Sequence, residues 1–517
     1  MTQRRPHILI FNPDQWRADT LGHLGHPGGV TPAFDALVRE DAVSFALAFS
    51  QATICTPSRC SFTTGLYPHV HGHRSLHHMI HRERGQRHMF EVLRENGYFV
   101  WWGGKNDLVP GNDPPEGQCD VYFEPDAAFF ERHGATRQYD LHANASTWRG
   151  EPGSDTYYSF HAGTLETPPS DRYHMDRDWQ MVLGAIEFMR DAPPGQPLCI
   201  YLPLLYPHPP YGAEREFMAL VEDAGLLPRR RPTPGQMARK PRMLRRLAEM
   251  QGMSGWSEPR WDELRRTYLA MVARVDRQVA RLGEALRDAG LYDDTAIFAF
   301  SDHGDYTGDY GVVEKSQVDF EDPLTRVPLI VKPPAGTAVS AGIRDHTLAE
   351  LTDVTATIWD LTGIDPGFDS FGRSLLPSLA DAAHPHRDVV FCEGGRRPGE
   401  IQASEAQSLE AFGDEPWRSL YWPKIDIQVN DPTAHGRAVM VRSLSAKYVR
   451  RSGDTDEFYD LRNDPFELDN RIGDPQVAGA VDELKDRLLE WYLETSDIVP
   501  RTPDTRTTPS RAPVAAT

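Results

Sequence analysis

HILIFNPD, residues 7–14, joins a short and continuous apolar run to an acidic residue. A run of this length is typical of a strand that is buried on both faces of a sheet. Residues 295–304, TAIFAFSDHG, repeat the arrangement, since an apolar run is followed by Asp302 and His303. Open α/β sheets bind their ligands beyond the carboxyl ends of the strands. Both stretches therefore predict polar groups at a functional site.

Helical patterns separate these two stretches and indicate an α/β fold. Residues 261–289 place apolar side chains at steps of three and four residues, and Gly290 follows as a stop signal. Similar reasoning predicts helices at 89–96, 179–190 and 351–361, and strands at 197–205 and 327–331. We therefore expect a large mixed sheet flanked by helices.

The sequence pattern changes after a segment rich in Gly, Pro and Asp at 363–385. Short alternating runs predict a small antiparallel sheet at 389–392, 438–442, 446–450 and 457–461, and residues 477–495 predict a closing helix. The expected organisation is a main α/β domain over 1–385 and a smaller α+β domain over 386–499. Residues 500–517 are rich in Pro, Thr and Arg, which predicts a disordered tail.

Composition excludes several classes of function. The 517 residues include 75 acidic and 55 Lys or Arg side chains, a formal net charge of −20, so no nucleic-acid partner is expected. No apolar run reaches the roughly 20 residues of a membrane span or the roughly 7–15 of a signal peptide. We therefore expect no membrane association and a cytoplasmic location. Five scattered cysteines without a CxxC pair argue against disulfides or a zinc knuckle.

The most informative stretch is CTPSRCSFTTG, residues 55–65. It resembles the signature of the formylglycine-dependent sulfatases of the alkaline-phosphatase-like superfamily, Cys-x-Pro-x-Arg followed by Thr-Gly. The resemblance implies an alkaline-phosphatase-like fold and a sulfuric ester hydrolase. It also implies that a maturation enzyme oxidises Cys55 to formylglycine. An isolated cysteine near a helix start is more often simply buried, but two further motifs in the right order favour the catalytic interpretation.

Those motifs are Asp14-Gln15 and Asp302-His303-Gly304, which resemble the two metal-binding elements of the superfamily. The resemblance implies one divalent metal ion held by Asp14, Gln15, Cys55, Asp302 and His303. Oxygen ligands favour calcium, and the imidazole among them makes manganese the alternative. A lone aspartate at a strand end is more often a helix cap, so the ligand role depends on the three elements occurring together.

The resemblance also implies a mechanism in which formylglycine reacts as an aldehyde hydrate. One hydroxyl, polarised by the metal, attacks sulfur and the alcohol leaves; the second hydroxyl then expels sulfate and regenerates the aldehyde. Arg59, one helical turn beyond Cys55, would hold the hydrate or balance charge. Lys105 and Lys315 resemble the sulfate-binding lysines. His208 resembles the histidine that contacts the substrate and protonates the leaving oxygen.

Some of these residues keep an alternative interpretation. Lys315 could be a surface lysine, and His208 could be a turn histidine held by prolines. A histidine run suggests a second metal site, but it lacks ligand partners elsewhere, so we expect only His73 or His78 to line the substrate site. The region 213–258 contains three consecutive arginines and is expected to be a solvated insertion or a rim for an anionic substrate.

Departures from the usual sulfatase pattern resemble the branch of choline sulfatases and phosphonate monoester hydrolases. Gln15 and His303 stand where many sulfatases have Asp and Asn. Asp107 stands where a histidine is usual, so the residue that acts as the general base is not identified by the resemblance. The second candidate function is therefore hydrolysis of a phosphonate monoester or phosphodiester by the same nucleophile. Lys105 favours a sulfate ester as the substrate, because a lysine at this position resembles the sulfate-binding pattern. The phosphonate monoester hydrolases resemble one another in being neutral at the same position.

A non-catalytic binding protein on the same scaffold is a third interpretation, and the intact Cys-x-Pro-x-Arg argues against it. The expected partners are the maturation enzyme and a small sulfate ester, whether aryl, alkyl or sugar. A homo-oligomer is left open by the sequence.

Overall fold

A nine-stranded mixed sheet lies at the centre of the fold. The structure is a computed structural model and describes residues 5–111, 114, 117–140, 154, 157–400, 413–498 and 501. Its strands are β1 (His7–Asp14), β2 (Val43–Phe49), β3 (Phe99–Trp102), β4 (Val121–Tyr122), β5 (His161–Leu165), β6 (Leu198–Pro207), β7 (Tyr211–Glu214), β8 (Thr295–Phe300), β9 (Arg326–Val327), β10 (Leu329–Lys332), β11 (Gly342–Glu350), β12 (Val390–Gly394), β13 (Ala438–Arg442), β14 (Ala446–Arg451) and β15 (Glu457–Asp460).

The order of strands in the central sheet brings the two acidic motifs to one edge. The order is β11-β2-β10-β8-β1-β6-β3-β4, and β9 pairs with β2. β1 is parallel to both of its neighbours, so that Ile10 lies opposite Phe298 of β8 and Tyr201 of β6. β10 is antiparallel to β8 and β2, which makes the sheet mixed. Since β1 and β8 run the same way, Asp14 and the residues after Phe300 emerge together.

Helices cover both faces of this sheet. They are α1 (Pro32–Glu40), α2 (Cys55–Thr64), α3 (Pro68–His71), α4 (Met89–Glu95), α5 (Ala127–Arg132), α6 (Arg177–Arg190), α7 (Arg215–Leu220), α8 (Pro234–Met237), α9 (Arg242–Met250), α10 (Glu258–Asp288), α11 (Asp322–Thr325), α12 (Thr352–Thr362), α13 (Leu376–Ala380), α14 (Trp422–Asn430) and α15 (Ala478–Thr495). Leu9 and Phe11 of β1 share an apolar core with α6 and α10, whereas Ile8 and Ile10 share the opposite core with α2 and α12. The continuous apolar sequence of β1 follows from this burial on both faces.

A four-stranded antiparallel sheet, β12-β13-β14-β15, forms the carboxy-terminal part, and α15 packs on it. Trp491 of α15 stacks on Phe391 of β12, with ring centroids 4.4 Å apart. On the other side of the sheet, Cys392 and Met440 share a core with Phe320 of the main domain. The predicted fold class is confirmed. The boundaries at 385 and 499 stay predictions, and the predicted tail at 500–517 lies outside the described residues except for Arg501.

Sequence patterns located some strands and missed others. The strand at 327–331 is divided into β9 and β10 by Pro328, which has no N–H to donate to a neighbouring strand. β2 and β11 were not predicted; the apolar run of β2, VSFALAF, has no period that separates a strand from a buried helix. None of the described helices combines the length and the apolar character needed to cross a membrane.

Lys447 of β14 ties the carboxy-terminal sheet to the main domain. Its side chain is 1% exposed, its ammonium lies 2.7 Å from Asp322 Oδ1, and it also contacts the carboxylate of Glu467. We expect Lys447→Met to lower the free energy of unfolding by about 3–5 kcal/mol, because, among the described residues, the buried Glu467 loses its ion-pair partner and the buried Asp322 keeps only Arg442. Lys485→Met is the control, since Lys485 is 46% exposed and contacts Asp482 at 3.4 Å. Urea denaturation compares the two variants, and equal, small losses would contradict the assignment.

Candidate active site

Four potential ligand groups converge at the carboxyl edge of the central sheet. Asp14 ends β1, Asp302 and His303 follow β8, and Cys55 is the first residue of α2. One ligand atom from each of the four side chains lies within 4.8 Å of all the others, and all four residues are buried. Among the described residues, this is the group of His, Cys, Asp and Glu side chains with the geometry to hold a metal ion. The structure thus brings together four of the five predicted metal ligands.

His303 presents a nitrogen lone pair to this cluster. Its Nδ1 lies 3.0 Å from the carbonyl oxygen of Gly304, which identifies Nδ1 as the protonated nitrogen and leaves Nε2 unprotonated. Nε2 lies 3.3 Å from Cys55 Sγ and 3.5 Å from Asp14 Oδ1. Burial lowers the pKa of His303 although Asp302 and Asp14 oppose the shift, so the ring is neutral. A neutral imidazole beside two carboxylates fits a divalent cation.

Gln15, the fifth predicted metal ligand, adjoins the cluster but its carboxamide has protein partners. Its Oε1 accepts a hydrogen bond from Lys315 Nζ at 2.7 Å, and its Nε2 donates to Asp305 Oδ2 at 2.5 Å. Its backbone N–H donates to Asp302 Oδ1 at 3.2 Å, and its φ of 63° lies in the left-handed region. This turn aims the side chain toward Lys315. A ligand role for Gln15 stays a prediction.

Arg59 separates the two buried carboxylates. Its Nη2 lies 3.2 Å from Asp14 Oδ2 and 2.9 Å from Asp302 Oδ2, and its Nη1 donates to Asn12 Oδ1 at 2.8 Å. The side chain is 1% exposed, so these interactions act without water. Arg59 is one helical turn into α2, as the sequence motif requires. The structure places its guanidinium where it balances charge, one of the two roles predicted for it.

Lys105 lies on the opposite side of Asp14. Its Nζ is 2.7 Å from Asp14 Oδ2 and 2.7 Å from Asp107 Oδ2. Burial alone would raise the pKa of Asp14, but the positive charges of Lys105 and Arg59 hold it well below its usual range. Asp107, at the position where a histidine was expected, is thus a partner of Lys105. The Lys105 side chain is 22% exposed, so part of it is open to solvent.

Lys315 is buried, so its interpretation as a surface lysine is wrong. Its side chain is 2% exposed, and Nζ contacts Glu314 Oε1 at 2.7 Å as well as Gln15 Oε1. It also lies 3.0 Å from His208 Nε2. The Nδ1 of His208 is 2.6 Å from the carbonyl oxygen of Pro209, so Nδ1 carries the proton and Nε2 accepts from Lys315. The two predicted substrate-binding residues therefore form one pair.

The histidine run does not enter this cluster. His78 is hydrogen bonded to Ser75 Oγ at 3.0 Å and lines a neighbouring cavity of about 260 Å³ together with Arg74 and Gln317. His69 contacts Glu393 Oε1 at 2.7 Å. His73 stacks on the adjacent ring of His71. A direct substrate contact of His78 stays a prediction.

Asp305 and Glu314 complete the site and were not recognised in the sequence. Tyr211 Oη lies 2.9 Å from both carboxylate oxygens of Asp305, whose pKa is raised by burial. Glu314 bridges two ammonium groups, because its Oε2 lies 2.9 Å from Lys424 Nζ in α14. The position of Asp305 just after the metal motif was the available signal. Nothing local connects Lys424 with Glu314, which lies 110 residues earlier in the chain.

The region 213–258 is not a solvated insertion throughout. Arg230 is buried, and its backbone N–H donates to Asp309 Oδ1 at 2.8 Å. Arg229 packs over the ring of Trp261 at 4.5 Å, whereas the side chain of Arg231 is 62% exposed. The arginine run is therefore mostly part of the packed structure.

Comparisons with known proteins agree with this geometry. The family model described as Sulfatase matches residues 6–364. The multifunctional alkaline phosphatase superfamily protein PehA of Trinickia caryophylli is 26% identical over 95% of this chain and 96% of its own length. The choline-sulfatase of Rhizobium meliloti (strain 1021) is 25% identical over 97% of this chain and 90% of its own length.

A similar fold occurs in the crystal structure of the phosphonate monoester hydrolase of Agrobacterium radiobacter. The TM-score is 0.73 at 21% sequence identity, and the similarity covers 96% of this chain and all of that one. The family match extends over more than half of the chain and includes every element of the cluster. The chain belongs to the sulfatase family and is a hydrolase, and it is similar over nearly its full length to a choline-sulfatase.

Proposed function

We propose that this chain hydrolyses a small sulfate ester to an alcohol and inorganic sulfate, with a formylglycine hydrate made from Cys55 as the nucleophile. The observation that carries the proposal is the position of Cys55 Sγ, 3.3 Å from His303 Nε2 and 3.6 Å from Asp14 Oδ1. Burial and the nearby Asp14 raise the pKa of the Cys55 thiol, so an unmodified cysteine is a poor nucleophile here. An aldehyde hydrate needs no thiolate.

One divalent cation would be held by Asp14, Asp302, His303 and the modified residue 55, with Gln15 as a fifth predicted ligand. When bound, such an ion supplies Lewis-acid activation of the nucleophilic oxygen. The two carboxylates favour calcium, and the imidazole keeps manganese as the alternative.

Lys105 and Lys315 are proposed to bind the sulfuryl oxygens. Lys105 Nζ lies 2.7 Å from Asp14 Oδ2, and Lys315 Nζ lies 2.7 Å from Gln15 Oε1, so both ammonium groups adjoin the residues predicted to hold the metal ion. A sulfuryl group gains negative charge as the ester bond breaks, and fixed cations stabilise that charge. Lys315 Nζ donates a hydrogen bond to His208 Nε2. We assign to this pair the role of the general acid, which gives a proton to the oxygen of the leaving alcohol.

The substrate class is supported by the relatives. The similarity to the choline-sulfatase extends over nearly the full length of this chain. A small ester also agrees with the proposed cytoplasmic location. The maturation enzyme that oxidises Cys55 is the other proposed partner.

Replacement of the nucleophile tests the proposal directly. We expect Cys55→Ala to lower kcat/KM for 4-nitrophenyl sulfate by about 10³-fold or more, because no other group can supply the attacking oxygen. Cys60→Ala is the matched control, since Cys60 is buried in the same helix but is not one of the four residues of the cluster. Mass spectrometry of the Cys55 peptide should show the mass of formylglycine, in which oxygen replaces sulfur and two hydrogen atoms are lost relative to cysteine. Undiminished hydrolysis by Cys55→Ala would refute the mechanism.

Phosphonate monoester or phosphodiester hydrolysis is the second candidate, because the phosphonate monoester hydrolase of Agrobacterium radiobacter has a similar fold over 96% of this chain. Lys105 distinguishes the two. We expect the wild-type enzyme, with Cys55 converted to formylglycine, to prefer 4-nitrophenyl sulfate to a phenyl phosphonate monoester. We also expect Lys105→Met to reduce sulfate turnover by about 10²-fold and phosphonate turnover less. Steady-state rates on both substrates measure this, with Lys485→Met as control. A preference for phosphonate would replace the first proposal by the second.

Lys424 is predicted to hold Lys315 in position through Glu314. In Lys424→Met, Glu314 keeps only Lys315 as a cationic partner, which draws Lys315 away from the substrate. We expect kcat/KM to fall by about 10–100-fold, the usual effect of a partner that orients an active-site group.

The double variant Glu314→Gln with Lys424→Met separates this role from a structural one. It removes one charge of each sign, so we expect it to recover activity relative to Lys424→Met. Steady-state kinetics and thermal unfolding are measured on both variants. A double variant that is no more active than Lys424→Met would contradict the charge relationship.

A further inference from the structure

A separate cavity of about 90 Å³ lies behind the active site. None of the predicted catalytic or metal-binding residues lines it. Tyr268 forms part of its wall and donates a hydrogen bond to the backbone carbonyl of Gln15 at 2.7 Å. The volume is several times that needed for one water molecule, so a ligand of a few heavy atoms fits.

Cationic groups exceed anionic groups on the cavity wall. Arg17, Arg230 and Arg265 line it together with two carboxylates, Asp19 and Asp309. Arg17 binds both carboxylates, at 2.8 Å and 2.9 Å. Because Asp19 and Asp309 both pair with Arg17, only part of their negative charge remains to balance the guanidinium groups of Arg230 and Arg265.

Arg230 has a buried donor without a hydrogen-bond partner. Its Nη1 donates no hydrogen bond to any of the described residues, and the side chain is only 8% exposed. The nearest carboxylate oxygen given for it, Asp309 Oδ2, lies 3.8 Å away, which is too far for a hydrogen bond. The guanidinium carbon lies 5.5 Å from the ring centroid of Phe466, which faces the same cavity. A buried charged donor that lacks a partner is costly, and an anion in the cavity would satisfy it.

Two further donors line the same cavity. Arg265 donates to the carbonyl of Leu227 at 2.5 Å, and the carboxylate nearest to it, that of the partly exposed Asp262, is 3.7 Å away. His26 Nδ1 accepts a hydrogen bond from the Gly28 N–H at 3.0 Å, so Nε2 carries the ring proton. Burial lowers the pKa of His26 to about 4, which leaves the ring neutral and a donor.

The rest of the wall is apolar, with Leu226, Leu269 and Phe466. We propose that this cavity binds a small organic monoanion, in which a carboxylate-like group contacts Arg230 Nη1 and a short apolar chain contacts these side chains. One negative charge matches the surplus of one cation on the wall. The proposal does not depend on the reaction proposed for the active site.

Butyrate is the probe for this site, and Arg230→Met and Arg231→Met are matched variants of adjacent residues. We expect isothermal titration calorimetry at constant ionic strength to show butyrate binding to the full chain. Arg230→Met should weaken it at least about ten-fold, and Arg231→Met, whose side chain is 62% exposed, should leave it unchanged. Uncharged butyramide should bind at least about ten-fold more weakly than butyrate.

Several results would overturn the proposal. They are the absence of butyrate binding, equal affinity of wild type and Arg230→Met, equal binding of butyramide, and chloride binding as tight as butyrate. Butyrate bound at the active site would survive in Arg230→Met and would count against the cavity. Thermal unfolding checks that each variant folds. If Arg230→Met does not fold, Arg265→Met repeats the test at a side chain that is 14% exposed, with the same expected loss.

Discussion

The contact of one guanidinium with two buried carboxylates makes this active site possible. Asp14 and Asp302 emerge from neighbouring parallel strands, and their side chains are fully buried. Two adjacent carboxylates without solvent repel each other strongly unless a cation compensates them. Arg59 supplies that cation from the first turns of α2. The same helix begins with Cys55, so the compensation of the acids and the position of the proposed nucleophile depend on one element.

Charge balance extends outward from this contact. Four carboxylates surround the reacting position or the lysines beside it, those of Asp14, Asp302, Asp107 and Glu314, and four cations accompany them, those of Arg59, Lys105, Lys315 and Lys424. The set is nearly neutral before any ion or substrate binds. A divalent cation would make it positive by two charges. A site with two positive charges attracts a monoanionic sulfate ester. Its charge matches still better the two negative charges that the sulfate carries once the ester bond is broken.

The sequence predicted the parts of this arrangement that are local. An apolar run followed by an acid locates Asp14 and Asp302, and a motif of eleven residues contains both Cys55 and Arg59. Contacts between distant segments were not predictable from one sequence. Lys424 contacts Glu314 across 110 residues, and no periodicity or motif relates the two. Likewise, the burial of Lys315 and Arg230 depends on tertiary packing, since the same residue types are usually exposed.

The choice between sulfate and phosphonate depends on such contacts. Both esters are monoanionic and tetrahedral at the reacting atom, so the metal-binding and nucleophilic groups serve either. The two esters can differ in how they interact with Lys105. The positive charge of Lys105 is partly balanced by Asp14 and Asp107, and only the unbalanced part acts on the substrate. Asp107 therefore tunes the lysine that the sequence motif identifies. For this chain, we therefore expect selectivity between the two esters to depend on how strongly Asp14 and Asp107 hold Lys105, in addition to the presence of the lysine.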